Sequence, residues 1–216
     1  MYLIFIPAVI GAYLLGSIPF GVLIVKAHGK DLRSIGSGNI GATNVSRALG
    51  RKWAYICFVL DVLKGMVPML VIMFIAKPAG IFMLLLWLVV GCAAISGHIF
   101  PIYVKFKGGK GVATSFGVAL GLWPFYTICA LFAIAIWVVV VLIWRYVSLA
   151  SIAGSVSFPA VLILAIILKP GWDFLSLWPL LVAATVIPLM VIIRHRENIK
   201  RLLAGTESKI LKSESF

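Results

Sequence analysis

Polar and apolar positions do not alternate along this chain; they come in blocks. Residues 1–25, 78–104, 111–144, 146–168 and 174–193 contain no Lys, Arg, Asp or Glu. Each block is long enough to cross a bilayer core, which takes roughly 20 helical residues. A further apolar stretch at 54–76 is interrupted only by Asp61 and Lys64. The pattern predicts seven helices, at 3–25, 54–76, 79–100, 112–123, 125–144, 147–168 and 175–193. The run 111–144 is divided because its 34 residues exceed one ordinary span, and "GLWPFY" at 121–126 supplies Gly and Pro for a turn. The fourth helix is then short, and its backbone must be shielded from lipid by its neighbours. The expected fold class is all-α. The chain is a polytopic membrane protein with 1–216 as a single transmembrane domain, loops at about 26–53 and 101–111, and a tail at 194–216.

Composition agrees with the blocks. Hydrophobic residues make up 63% of the 216 and charged residues 12%, about half the charged share of a soluble domain. The first apolar run lacks a basic leader and is followed by further spans, so it is expected to be retained rather than cleaved. Cys57, Cys92 and Cys129 lie in apolar segments without a C-x-x-C pair and read as small hydrophobes. The three His are scattered, so no metal is expected.

Charge supplies an orientation. With seven spans, 16 of the 19 basic residues fall on one face: Lys26, Lys30, Arg33, Arg47, Arg51 and Lys52; Lys105, Lys107 and Lys110; Arg145; and Arg194, Arg196, Lys200, Arg201, Lys209 and Lys212. The other face holds only Lys77 and Lys169. The positive-inside rule makes the basic face cytoplasmic, with the N-terminus outside and the C-terminus in the cytoplasm. The net charge of +13 also suits an anionic substrate. Nucleic acid is not expected, because no stacking aromatics are interleaved with the charges.

The polar stretches lie on that same face: "GSIPFG" (16–21), "KDLRSIGSGNIGATNVSRALG" (30–50), "GHIFPIYVKFKGGKGVAT" (97–114) and "HRENIKRLLAGTE" (195–207). In 108–111, Gly108, Gly109, Lys110 and Gly111 precede a helix. Glycines let backbone N–H groups close around an anion, and a helix N-terminus favours negative charge. The loop lacks the G-x-x-x-x-G-K-[ST] pattern and a soluble α/β setting, which argues against ATP. In 34–50, Ser37, Asn39, Thr43 and Asn44 offer neutral hydrogen bonds, and Arg47 offers a planar fork matched to phosphate oxygens. His195 and Asn198 share a face at i,i+3, where His can exchange a proton near neutral pH.

Several residues carry two readings. Asp61 and Lys64 form an internal salt bridge or line the cytoplasmic pocket. His98 orients the 101–111 loop or caps a helix C-terminus. Ser148 and Ser151 cap a helix or touch substrate.

Together with "DVLKG" (61–65), these blocks resemble the bacterial acylphosphate:glycerol-3-phosphate acyltransferases, in order and over essentially the whole chain. The resemblance implies a seven-span inner-membrane enzyme with its active site on the cytoplasmic side. It would move an acyl group from acyl phosphate to the 1-hydroxyl of glycerol 3-phosphate, giving lysophosphatidate and inorganic phosphate. It implies no cofactor, and no obligate protein partner is expected beyond the two substrates and bilayer lipids. Other glycerophosphate acyltransferases carry H-x-x-x-x-D. Here His28, His98 and His195 have no Asp five positions on, in agreement with the resemblance. The residues matching the family's blocks are Ser37, Asn39, Thr43, Asn44, Arg47, Lys107, Lys110, His195 and Asn198. Of these Ser37, Arg47, His195 and Asn198 are the expected catalytic set, and the others, with the loop glycines, Ser148 and Ser151, the expected substrate-binding set.

Acyl phosphate is an activated mixed anhydride, so positioning and charge stabilisation supply much of what the reaction needs. Either His195 or a substrate phosphate oxygen takes the hydroxyl proton. Direct transfer is favoured over an acyl-Ser37, since no His–Asp partner is evident nearby. The alternative function is a transporter or channel for a phosphorylated metabolite. It predicts a polar route to the far face and usually repeated halves, and neither is seen in the sequence. The segment after Glu207, "SKILKSESF", reads as an untied tail.

Overall fold

The computed structural model describes residues 2–210. They contain α-helices and short 3-10 turns and no strand. The helices are α1 (Phe5–Ser17), α2 (Phe20–Ala27), α3 (Ala42–Leu49), α4 (Arg51–Ala76), α5 (Gly80–Ile99), α6 (Val112–Gly121), α7 (Phe125–Trp144), α8 (Val147–Leu168), α9 (Phe174–Arg194) and α10 (Arg196–Leu203). Among the described residues, six helical segments are long and apolar enough to cross a membrane, with Tyr2–Ala27 taken as one; Val112–Gly121 is a shorter apolar helix. Large apolar side chains such as Phe74, Leu142, Leu168 and Leu175 stay exposed, the reverse of a water-facing helix.

The chain divides into two compact units, Met1–Trp123 and Pro124–Phe216. In the first, α1 packs on α5 and α4 packs on α6, while α4 also touches α5, α1 and α3. Glycines set both main contacts. A Cβ on Gly16 would lie 2.2 Å from the Ala94 carbonyl oxygen, and one on Gly97 would lie 2.3 Å from that of Tyr13. The same reciprocity joins α4 and α6. Gly65 faces the Thr114 carbonyl oxygen at 2.2 Å, and Gly117 faces that of Val62 at 1.9 Å. In lipid, where apolar side chains gain little from leaving the solvent, such backbone approach is a main source of helix association.

Two expectations are corrected here. The first span is not one helix. Pro19 has no N–H to donate, and the residue before a proline is pushed out of the helical region; Ile18 takes φ −60°, ψ 117° and ends α1. The Lys64 ammonium donates to the Ile18 carbonyl at 2.9 Å, so the break is held from α4. Segment 26–53 is also not a plain loop. It folds over a small core of Val25, Leu32, Ile40, Val45, Ala48 and Cys57, and contains α3. Gly50, at φ 85°, then turns the chain into α4.

In the second unit α8 packs on both α7 and α9. The Tyr126 hydroxyl donates to the Leu180 carbonyl. The helix α10 touches α8 and α9. The tail is tied further than expected: the Ile210 N–H donates to the Arg145 carbonyl at 2.8 Å. Residues 211–216 of the predicted tail lie outside the described residues.

Candidate functional site

Polar side chains cluster in both units. In the first unit, Asn44 is 1% exposed and holds the segment before it. Its amide donates to the Leu32 and Ile35 carbonyls at 3.0 and 2.9 Å, and its Oδ1 accepts the Ser37 N–H at 3.1 Å. Three of the side chain's hydrogen-bonding positions therefore go to the backbone. Asn39 Oδ1 likewise accepts the Gly41 N–H at 3.0 Å, forming the turn that opens α3. Ser37, Thr43 and Arg47 remain exposed. Thr43 and Arg47 are i,i+4 on α3 and so share a face. The Arg47 stem lies along Gly36, whose φ is +54° and whose Cβ, if present, would be 2.9 Å from Arg47 Cδ.

The glycine loop comes to the same unit through a strained turn. Lys105 and Phe106 both have left-handed φ, 55° and 59°, which side-chain-bearing residues rarely adopt. The Phe106 N–H closes the turn on the Pro101 carbonyl at 2.9 Å. Arg33 clamps it, donating through Nη2 to the Lys107 carbonyl at 2.9 Å and the Val104 carbonyl at 3.5 Å. The two long polar stretches of the first unit thus meet. Gly109 is buried and its N–H donates to the His98 carbonyl at 3.0 Å. Gly111, φ +89°, begins α6 without a side-chain cap. The early N–H groups of a helix have no partner within it, so the loop and the start of α6 form an anion-receptive surface. Lys107 is exposed and Lys110 half-buried beside it. In the first turn of α6 the buried hydroxyl oxygens of Thr114 and Ser115 have no hydrogen-bond partner among the described residues.

Beneath this loop lies a buried charged group. Asp61 and Lys64 are 3% and 2% exposed and pair at 2.7 Å. His98 Nδ1 stands 3.7 Å from the same Asp61 oxygen.

In the second unit, His195 is buried where α9 passes into α10, with Nδ1 2.7 Å from the Val191 carbonyl. A carbonyl can only accept, so Nδ1 carries a proton and Nε2 holds the lone pair of the neutral ring. Asn198 and Ser148 are brought together by a residue that motif reading passed over. Glu207 Oε1 accepts from Ser148 Oγ at 2.7 Å and from Asn198 Nδ2 at 2.6 Å, while its Oε2 accepts from Arg201 Nε at 2.7 Å. Its side chain is 6% exposed. Burial raises its pKa, but the hydrogen bonds from Asn198, Ser148 and Arg201 outweigh that and hold the carboxyl below its ordinary range. Ser151 is directed elsewhere: its hydroxyl donates to the Val147 carbonyl at 2.8 Å and accepts from the Trp137 indole at 3.3 Å. Among the described residues no three His, Cys, Asp or Glu side chains gather as a metal site.

Comparison with known proteins places the chain in a family. The family described as Glycerol-3-phosphate acyltransferase matches residues 6–205. A glycerol-3-phosphate acyltransferase of Aquifex aeolicus is 47% identical over 203 residues, 93% of this chain and 96% of its own. One of Geotalea daltonii is 44% identical over 201 residues, 93% and 94% of the two chains. The crystal structure of PlsY (YgiH), an integral membrane glycerol 3-phosphate acyltransferase, in its glycerol 3-phosphate form superposes with a TM-score of 0.83 at 43% identity over 96% of each chain. Its lysophosphatidic acid form gives 0.80 at 42% identity, over 96% of this chain and 95% of that one. This chain, a multi-pass membrane protein, belongs to the glycerol-3-phosphate acyltransferase family.

Proposed function

We propose that this enzyme transfers an acyl group from acyl phosphate to the 1-hydroxyl of glycerol 3-phosphate, releasing lysophosphatidate and inorganic phosphate. The observation that carries the reading is the glycine loop leading into the uncapped start of α6, with Lys107 and Lys110 beside it, in a family whose solved relative has glycerol 3-phosphate and lysophosphatidic acid forms. Family membership favours an enzyme over a transporter.

The hydroxyl oxygen bonds to the acyl carbon while the carbon–phosphate oxygen bond breaks, and the hydroxyl proton leaves to a base. The Gly108–Gly111 loop, its Gly109 N–H tied to the His98 carbonyl, and the uncapped start of α6 hold one phosphate together with Lys110 and Lys107. Ser37, Asn39, Thr43, Asn44 and Arg47 hold the other. Asn44 does so by shaping the segment that carries Ser37. In the second unit, the protonated Nδ1 turns the lone pair of His195 Nε2 to the role of base, the alternative acceptor being a substrate phosphate oxygen. Asn198 and Ser148, fixed by Glu207, orient polar substrate groups, while the Ser151 hydroxyl is engaged by Val147 and Trp137. Charge stabilisation and positioning supply most of the rate, and no cofactor takes part.

In the membrane, α6 is a short fourth crossing, which makes seven with the six long ones. The basic loops then face the cytoplasm, the N-terminus lies outside, and the protein is a multi-pass protein of the bacterial inner membrane without an obligate partner. Bilayer lipids and acyl phosphate reach it from the same leaflet.

The test is purified protein in detergent or lipidic mesophase, given glycerol 3-phosphate with acyl phosphate or with acyl-CoA. Lysophosphatidate and inorganic phosphate are expected with acyl phosphate alone. Product from acyl-CoA only overturns the donor, and no product from either overturns the reading. His195→Gln is expected to lose most turnover; near-normal turnover across pH 6–9 would remove His195 as the base in favour of a substrate oxygen.

A further inference from the structure

The charged group buried under the glycine loop has no part in the chemistry above, yet it costs several kcal/mol to bury ionised groups in such a place unless they are paired. Its geometry points to a use. The His98 carbonyl accepts the Gly109 N–H at 3.0 Å. The His98 ring lies against Gly109 so closely that a Cβ there would be 2.1 Å from Nε2. A Cβ on Gly108 would be 2.2 Å from the His98 carbonyl oxygen. His98 therefore serves as the floor on which the two glycines lie.

The floor is fixed in turn by α4. Asp61 faces His98 Nδ1 at 3.7 Å, beyond hydrogen-bonding reach but close enough to orient the ring by charge. Lys64 pairs with Asp61 at 2.7 Å and anchors to the Ile18 carbonyl at the break of the first span. One residue on, Gly65 packs on the Thr114 carbonyl in the first turn of α6. The segment "DVLKG" of α4 thus lies under both ends of the loop: Gly109 through Asp61 and His98, and the start of α6 through Gly65.

We propose that His98 is the positioning residue of the glycine loop, its ring setting the register of Gly108–Gly111 and Asp61 with Lys64 setting the ring. The inference rests on the reading of that loop as a phosphate holder. It explains why positions 108 and 109 are both glycine, and it gives the charged pair in α4 a task.

The test is a double-substitution cycle in the full chain: His98→Ala, Gly109→Ala and the two together. Steady-state kinetics is read for both substrates, with inorganic phosphate as a competitive ligand. Gly109→Ala forces the loop off the ring, and a shift of about 1 Å lowers kcat/KM on the order of a hundredfold. His98→Ala, with no floor, lowers it about tenfold and weakens inhibition by inorganic phosphate. In the double variant the clash is gone, so kcat/KM recovers about tenfold over Gly109→Ala alone. Losses that simply multiply overturn the proposal, as does a His98→Ala enzyme with unchanged phosphate inhibition. A purely structural role lowers the melting temperature without this coupling. Should His98→Ala fail to fold, His98→Ser enters the same cycle, its side chain ending well short of the ring. Asp61→Asn is expected to reproduce the weakened phosphate inhibition at a smaller amplitude. A second readout is the rise in melting temperature of each variant on adding inorganic phosphate. Should the wild-type chain make no product, the donor reading falls; this phosphate-dependent rise, lost in His98→Ala, still decides the role of His98.

Discussion

In the first unit the glycine loop offers backbone N–H groups, and the surrounding glycines let helices touch backbone to backbone. In the second, Ser148, Asn198 and Arg201 offer side chains to a single carboxylate. Backbone contacts have no rotamers to adjust, so the first unit is intolerant of added volume. Side-chain networks adjust to volume but depend on every donor keeping its acceptor. The two regions should therefore fail in different ways.

The largest contrast is at the helix contacts. Gly117→Val places carbon within 1.9 Å of the Val62 carbonyl oxygen, and no side-chain motion relieves it. No monodisperse, cooperatively unfolding protein is expected. Gly154→Ala in α8 meets the Ala133 carbonyl oxygen only at 3.1 Å, a few tenths of an ångström too close, so folded protein is expected with a slightly lower melting temperature. Equal behaviour of the two would break the comparison.

The carboxylate comes next. Glu207→Ala leaves Ser148, Asn198 and Arg201 without this acceptor, a loss of roughly 2–3 kcal/mol in unfolding free energy. Glu207→Gln keeps an oxygen for Ser148 and Asn198 and loses the ionic contact with Arg201, for about 1 kcal/mol. If the two variants are equally unstable, charge and not hydrogen-bond geometry holds the cluster. The pH profile sharpens this. The folded pKa of Glu207 is depressed, so its contribution is present above the unfolded value of about 4.3 and is lost as pH falls through the folded value. Wild-type stability should drop in that acid window more than that of Glu207→Gln.

The smallest effect returns to the first unit. Arg33→Ala removes the donors to the Lys107 and Val104 carbonyls. It should cost about 1 kcal/mol, with a rise in KM exceeding the fall in kcat, because a loop that only binds has been loosened.

The long helices were legible because lipid demands uninterrupted apolar runs, and their bounds in α5, α7, α8 and α9 lie close to those of the runs. The break at Ile18–Pro19 was marked by its proline but not otherwise legible, since an apolar run stays apolar across it, and part of what holds it, the Lys64 contact to the Ile18 carbonyl, comes from 46 positions on. The helix α3 was hidden by its own composition: "ATNVSRAL" is rich in poor helix formers, and it forms because Val45 and Ala48 bury against the small core around α2 and α4. In the site, the glycine loop announces itself by residue type. Glu207 does not, because a single acid after a basic helix has no spacing to betray it. Ser37 and Asn44 both offer hydrogen bonds by residue type, and only the fold separates an exposed serine from an asparagine turned inward on the chain.

The pairing of Asp61 with Lys64 has a further consequence for how the protein is made. Either ion alone near the middle of a helix opposes insertion into the bilayer by about 2.5–3.5 kcal/mol. The helix α4 is synthesised before α5, so His98 is not there to help when α4 enters the membrane. Spaced i,i+3, the two ions meet within their own helix and enter as a neutral pair. The other contact of Lys64, the Ile18 carbonyl, belongs to a segment already translated. The order of the chain thus gives Lys64 of α4 both its ion pair and an acceptor made before it.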